Sequence, residues 1–78
     1  MMLNVGNGSF VKISEIQVIA PPESAPLKRY VSDAKDNNIC IDLTYGKKTK
    51  SVIVLKNGMV VLSQVVASTL NNKITKSK

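Results

Sequence analysis

Hydrophobic and polar positions recur along this chain at two different periods, and the change of period marks out its elements. Met2-Leu3-Asn4-Val5 and Phe10-Val11-Lys12-Ile13 are short β-like runs separated by the turn-rich Gly6-Asn7-Gly8-Ser9, which predicts a hairpin. Ser14-Glu15 ends it, and Ile16 to Ala20 supplies a third strand before Pro21-Pro22 removes two amide donors and stops sheet pairing. The period then changes. Leu27, Tyr30, Val31 and Ala34 fall at i, i+3, i+4 and i+7, with Lys28, Arg29, Ser32, Asp33, Lys35 and Asp36 elsewhere, so Ser24 to Asn37 reads as an amphipathic helix. Ser24 is placed to cap it through its hydroxyl, Pro26 is tolerated in the first turn, and Asn37-Asn38 offers a residue able to take the left-handed conformation that ends a helix.

Period two returns at Ile39, Ile41, Leu43 and Tyr45, alternating with Cys40, Asp42 and Thr44, which predicts a strand from Ile39 to Tyr45 with Tyr45 on its buried face. Ser51 to Leu55 is a further β run, so Gly46 to Lys50 is expected to join two strands. Asn57-Gly58 predicts a type I′ hairpin of Val52–Lys56 with Met59–Ser63, pairing Leu55 with Val60, Val54 with Val61, Ile53 with Leu62 and Val52 with Ser63. Both faces of that hairpin are apolar. The helix covers one, and a neighbouring subunit is expected on the other, which makes the chain an oligomer. Val65 to Leu70 fits either a short terminal helix or a last extended segment, since spacing does not decide between them, and the helix is the expectation adopted; residues 73–78, with Lys73, Lys76 and Lys78, read as a frayed basic tail. The expected fold is α+β: a small antiparallel sheet packed with one main helix and a short C-terminal one.

Composition narrows the class. Seventy-eight residues make one domain, 1–78, with a modest core, and 44% hydrophobic content dominated by aliphatic and β-branched residues argues against disorder. There is no apolar run of membrane-spanning length and no basic-then-apolar leader, so a cytoplasmic protein with no membrane partner is expected. The single Cys40 cannot form an internal disulfide and reads as a small buried hydrophobe. With no His, no metal-ligand cluster and only scattered carboxylates, among them Asp33 and Asp42 as polar-face residues, neither catalysis nor a metal, cofactor or small-molecule substrate is expected. Gly6 and Gly8 do not form a nucleotide loop, because the third glycine and the following helix are missing.

Charge adds the candidate chemistry. Eleven Lys and Arg against five Asp and Glu give a net charge of +6, which attracts polyanions. The clustering is more telling than the total, since Thr44-Tyr45-Gly46-Lys47-Lys48-Thr49-Lys50 packs three lysines into four positions between strongly apolar segments. Lys47, Lys48, Lys50 and Thr49 are therefore the candidate DNA-binding residues, with Lys28 and Arg29 as additional phosphate contacts.

Pro22-Glu23-Ser24-Ala25-Pro26-Leu27-Lys28-Arg29, Ile41-Asp42-Leu43-Thr44-Tyr45-Gly46-Lys47-Lys48-Thr49-Lys50 and Val60-Val61-Leu62-Ser63 resemble the three signature blocks of the RemA family of bacterial extracellular matrix regulatory proteins, over about residues 2 to 72. The resemblance implies a DNA-binding transcriptional regulator of biofilm matrix and related genes that assembles into rings around which DNA can lie, associated with the nucleoid. It places DNA binding on the paired basic residues after T-Y-G, here Lys47 and Lys48. The chain carries Lys47, Lys48 and Lys50 where the family usually has arginine, and a lysine contacts phosphate as a point charge without the planar fork that reads guanine. Glu15 stands where the family has an arginine that also contributes to binding.

Two other readings compete with the DNA-binding ring. One is a structural or interaction module whose ring binds an acidic protein. The other is an RNA-binding ring, for which Tyr45 is the one residue positioned to stack on bases.

Overall fold

The computed structural model describes residues 1–76. They run in the order β1 (Met2–Gly6), β2 (Ser9–Lys12), a short 3-10 turn (Ile13–Glu15), β3 (Ile16–Ala20), α1 (Ala25–Asp36), β4 (Cys40–Asp42), β5 (Ser51–Leu55), β6 (Val60–Ser63) and α2 (Ala67–Lys76). Lys78, assigned above to a frayed tail, lies outside the described residues. β1 and β2 form the expected hairpin, and the other four strands form one sheet in the order β3-β5-β6-β4. The class is α+β, but the larger sheet is mixed rather than antiparallel: β3–β5 and β5–β6 are antiparallel, while β4 joins β6 in parallel.

Helix α1 begins at Ala25 with Pro26 in its first turn, and the Ser24 carbonyl accepts the first helical bond from the Lys28 amide at 2.9 Å. The expected side-chain cap is not made. An N-cap hydroxyl bonds the second or third helical amide; Pro26 at the second position has none to give, and the Leu27 amide at the third is not taken up by Ser24. The C-terminus closes as the sequence predicts. Asn38 takes φ 60°, its amide donates to the Lys35 carbonyl at 3.2 Å, and the Ile39 amide donates to the Ala34 carbonyl at 2.9 Å, the paired bonds of a Schellman ending.

The central strands are buried throughout, from Ser51 to Val54 and from Val60 to Ser63. Alternate side chains leave them in opposite directions into two cores. Val52, Val54, Val60 and Leu62 pack with Ala34, Leu27 and Val31 of α1. Ile53 and Val61 pack with Leu3, Val5 and Val11 of the β1–β2 hairpin and with Leu70 of α2, with Leu43, Leu55 and Ile74 against them. Both faces of the β5–β6 hairpin are thus covered from within the chain, and the premise that a neighbouring subunit must cover one of them is overturned. The face that α1 does not cover is closed by the β1–β2 hairpin and α2. Helix α2 also runs further than expected: Leu70 is fully buried and Ile74 packs on the same core, so Lys73 and Lys76 belong to a docked helix instead of a frayed tail.

The β5–β6 register differs by one residue from the predicted one. Val52 pairs with Leu62, Ile53 with Val61 and Val54 with Val60. The loop has three residues, Lys56-Asn57-Gly58, closed by the Leu55 amide on the Met59 carbonyl at 2.9 Å and the Gly58 amide on the Leu55 carbonyl at 3.0 Å. Only Gly58 is left-handed, with φ 91°, whereas a type I′ turn needs both central residues there. The Asn57 side chain instead accepts from the Met59 amide at 3.0 Å. A slip of one moves every β6 side chain to the other face, so Val61 joins Ile53 instead of Val54. Because both faces are apolar, the pattern of residues carried no information about which register is right.

Candidate nucleic-acid interface

The predicted strand Ile39–Tyr45 stops at Asp42, and its partner is β6, so residues 43–50 form a crossover instead of a turn between adjacent strands. Parallel pairing brings the end of β4 to the C-terminal end of β6, while β5 must begin on the other side of β6. The lysine-bearing segment therefore bridges the C-terminal end of β6 and is tied to it on both sides. The Leu43 amide donates to the Leu62 carbonyl at 3.0 Å, and the Lys50 amide donates to the Ser63 carbonyl at 2.8 Å. Asn7, at the tip of the first hairpin, supports the entry by donating its side-chain amide to the Leu43 carbonyl at 3.2 Å.

Asp42 and Thr44 shape the start of the bridge. One Asp42 carboxylate oxygen accepts from the Thr44 backbone amide at 2.9 Å and from the Thr44 hydroxyl, and Thr44 is buried. The hydroxyl bond first, and then the amide bond, hold the Asp42 carboxyl below its ordinary pKa by stabilising the charged form. Asp42 is thus an anchor for the loop and more than the polar-face residue the sequence suggested. Thr44 in the core in turn expels Tyr45: the residue expected on the buried face with Leu43 is 68% exposed, with φ 53°. Gly46 follows at φ 83°, and the Lys47 amide closes a turn on the Thr44 carbonyl at 3.1 Å. Two consecutive left-handed residues reverse the chain and lift Lys47, Lys48 and Lys50 into solvent, while Thr49 is half-buried.

Two clefts flank Thr49. One, of about 170 Å³, is lined by Lys28 and Lys35 of α1 together with Pro22, Val31, Thr49, Val52 and Leu62. The other, of about 260 Å³, is lined by Lys48, Thr49 and Lys50 with Pro21, Glu23 and Val66. Lys28 thus shares a cleft with Thr49 of the loop, whereas Arg29 lines a separate depression with Ala25 and Pro26. Lys35 was missed from the sequence. The available signal was its i+7 spacing from Lys28, which puts both on one stripe of α1. Nearby Cys40 is half-buried against the core on the α1 side; burial pushes its thiol pKa up, the Lys35 charge opposes this, and the Asp42 charge adds a smaller upward push. Among the described residues no group of three or more His, Cys, Asp or Glu is placed to hold a metal ion, and no helix is long and apolar enough to cross a membrane.

The RemA-like model, for proteins like extracellular matrix regulatory protein A, matches residues 2–74. The chain belongs to the RemA-like family. Relatives from Bacillus cytotoxicus, Bacillus mycoides and Bacillus cereus are each 48% identical over 75 residues, which covers 91% of this chain and 86% of the relative, and each is named a regulatory protein. The resemblance drawn from the three sequence blocks therefore extends over nearly the whole chain. Family and relatives together point to a regulatory role and away from an enzyme. The three blocks now have positions in the fold of this RemA-like chain. The first covers the start of α1 with Lys28, the second is the anchored loop, and the third is the strand β6 that the loop bridges.

Proposed function

We propose that this chain is a transcriptional regulator that binds double-stranded DNA through the phosphates, using the loop of residues 43–50. The carrying observation is that three exposed lysines stand on a segment tied to β6 at both ends, so their charges are presented from a fixed frame. A preorganised cation spends less ordering entropy on each phosphate than one on a free tail would. Lys47, Lys48 and Lys50 are the principal contacts, Thr49 adds a hydroxyl between the two clefts, and Lys28 and Lys35 extend the basic surface onto α1. Arg29 is left outside this surface.

The proposal includes self-assembly into a ring that repeats the loop along the duplex, and control of biofilm matrix or related genes at the nucleoid. With both hairpin faces covered, support for assembly comes from the sheet edges. β3 and β4 lie at opposite edges of the sheet and carry the exposed Val18 and Ile41. Joining one edge to the other is a head-to-tail contact, which closes into a ring when the rotation allows. Beside β4, a groove of about 480 Å³ lined by Phe10, Ile41, Leu43, Leu55 and Val61 adds apolar surface that self-association would cover.

A salt titration of binding to several duplex sequences, with RNA and an acidic peptide as controls, tests the reading. Duplex binding with a steep negative slope of log affinity against log salt, similar for all sequences, is expected. Preference for the acidic peptide or for RNA at equal salt would reject it.

A further inference from the structure

We infer that Tyr45 is itself a DNA contact, its ring packing against a backbone deoxyribose while Lys47 and Lys48 take the neighbouring phosphates; this rests on the DNA-binding reading above. Among the described non-glycine residues three have positive φ, namely Asn7, Asn38 and Tyr45. Asn tolerates that region through its short polar side chain, whereas a tyrosine meets the full clash of Cβ with the carbonyl. Tyr45 also leaves its aromatic ring in water at 68% exposure, so it carries two local costs at one position. No hydrogen bond of the Tyr45 side chain within the described residues offsets either. The loop is held by the bonds of Asp42 with Thr44 and of the Lys50 amide with Ser63, none of which uses the Tyr45 side chain. Tyr30 is the contrast, since its hydroxyl reaches the Gly58 carbonyl at 3.4 Å and its helix packs on the sheet.

Strain and exposure kept at one position are recouped where a ligand sits. Tyr45 precedes Gly46-Lys47-Lys48 in a turn closed by the Lys47 amide, so ring and cations share one projection. In a duplex the base faces are stacked away, and what a side chain beside the phosphates meets is sugar edge and phosphate oxygen. A phenol ring with a terminal hydroxyl suits both, as an apolar body with a polar tip.

The test is Tyr45→Asn, which keeps the left-handed backbone and removes the ring, beside Tyr45→Phe, which keeps the ring and removes the hydroxyl. Affinity for one duplex is measured by fluorescence anisotropy over a salt series, with thermal melting and light scattering on the same samples. Tyr45→Asn is expected to melt no lower than the wild type and to bind at least about fivefold more weakly at every salt, the scale of an aromatic contact residue. Its salt slope stays unchanged, since no charge is lost, and Tyr45→Phe loses less. Wild-type affinity in Tyr45→Asn overturns the inference. So does a variant that melts markedly lower or loses the wild-type mass, because Tyr45 would then serve the fold or a subunit contact. A wild type that shows no duplex binding at low salt rejects the DNA-binding reading instead, and the inference with it.

Discussion

Replacing both Lys47 and Lys48 with Ala should separate binding from folding almost completely. Both side chains are exposed, and neither takes part in the bonds that fix the loop; the Lys47 amide bond to the Thr44 carbonyl belongs to the backbone and survives the change. Stability should therefore move by no more than about 0.5 kcal/mol. Binding loses two phosphate contacts per engaged subunit. At about 0.9 unit of salt slope per phosphate, the slope should become shallower by about 1.8 for each subunit on the duplex. At about 0.15 M salt that term amounts to about 30-fold in affinity, near 2 kcal/mol, and it multiplies with every further subunit engaged. The assay is a salt series of duplex binding on wild type and double variant, with melting and light scattering as controls for fold and assembly. Unchanged affinity and slope in a folded variant of wild-type mass would mean that these lysines are only a solvated face.

Other outcomes follow from the same geometry. Ser51→Ala should stabilise the protein by about 1 kcal/mol in chemical denaturation, because the Ser51 hydroxyl is buried with no hydrogen-bond partner among the described residues. Leu70→Ala should destabilise by about 3 kcal/mol, since the side chain is fully buried in the core shared with Leu3, Val5 and Ile53; a loss under about 1 kcal/mol would show that α2 is not part of that core. Asp42→Ala should weaken duplex binding by freeing Thr44 and loosening the loop, although it removes a negative charge; stronger binding would show that Asp42 acts only through its charge. The Asp42 carboxyl is held below its ordinary pKa, so its contribution to stability is fully present above the usual carboxylate range and is lost as pH falls through the lower folded value. The difference in melting temperature between wild type and Asp42→Ala should accordingly shrink below about pH 4.

Much of this molecule was legible in the residues alone where the signals are local. The first hairpin, β3, the span and C-terminal closure of α1, and the family signature each depend on neighbours a few positions apart, through glycine and asparagine angles, proline donors and a helical stripe. The lysine cluster was legible for the same reason. What escaped was decided by partners far away in sequence. With both faces apolar, β5 and β6 could be paired in two registers that look equally good in the pattern, and a three-residue turn selected one. Of the strand expected from Ile39 to Tyr45 only Cys40–Asp42 forms, and its expected buried face is reversed, with Ile39 and Ile41 exposed and Cys40 packed on the α1 side of the core. Because β4 met β6 in parallel, the chain had to cross the end of β6, and Thr44 took the buried position that alternation had given to Tyr45. Lys35 became a neighbour of the loop only because α1 packs beside it. Local periodicity specifies which way side chains point along one element; which elements meet, and so which side chains share a site, is set by burying both faces of the central strands at once.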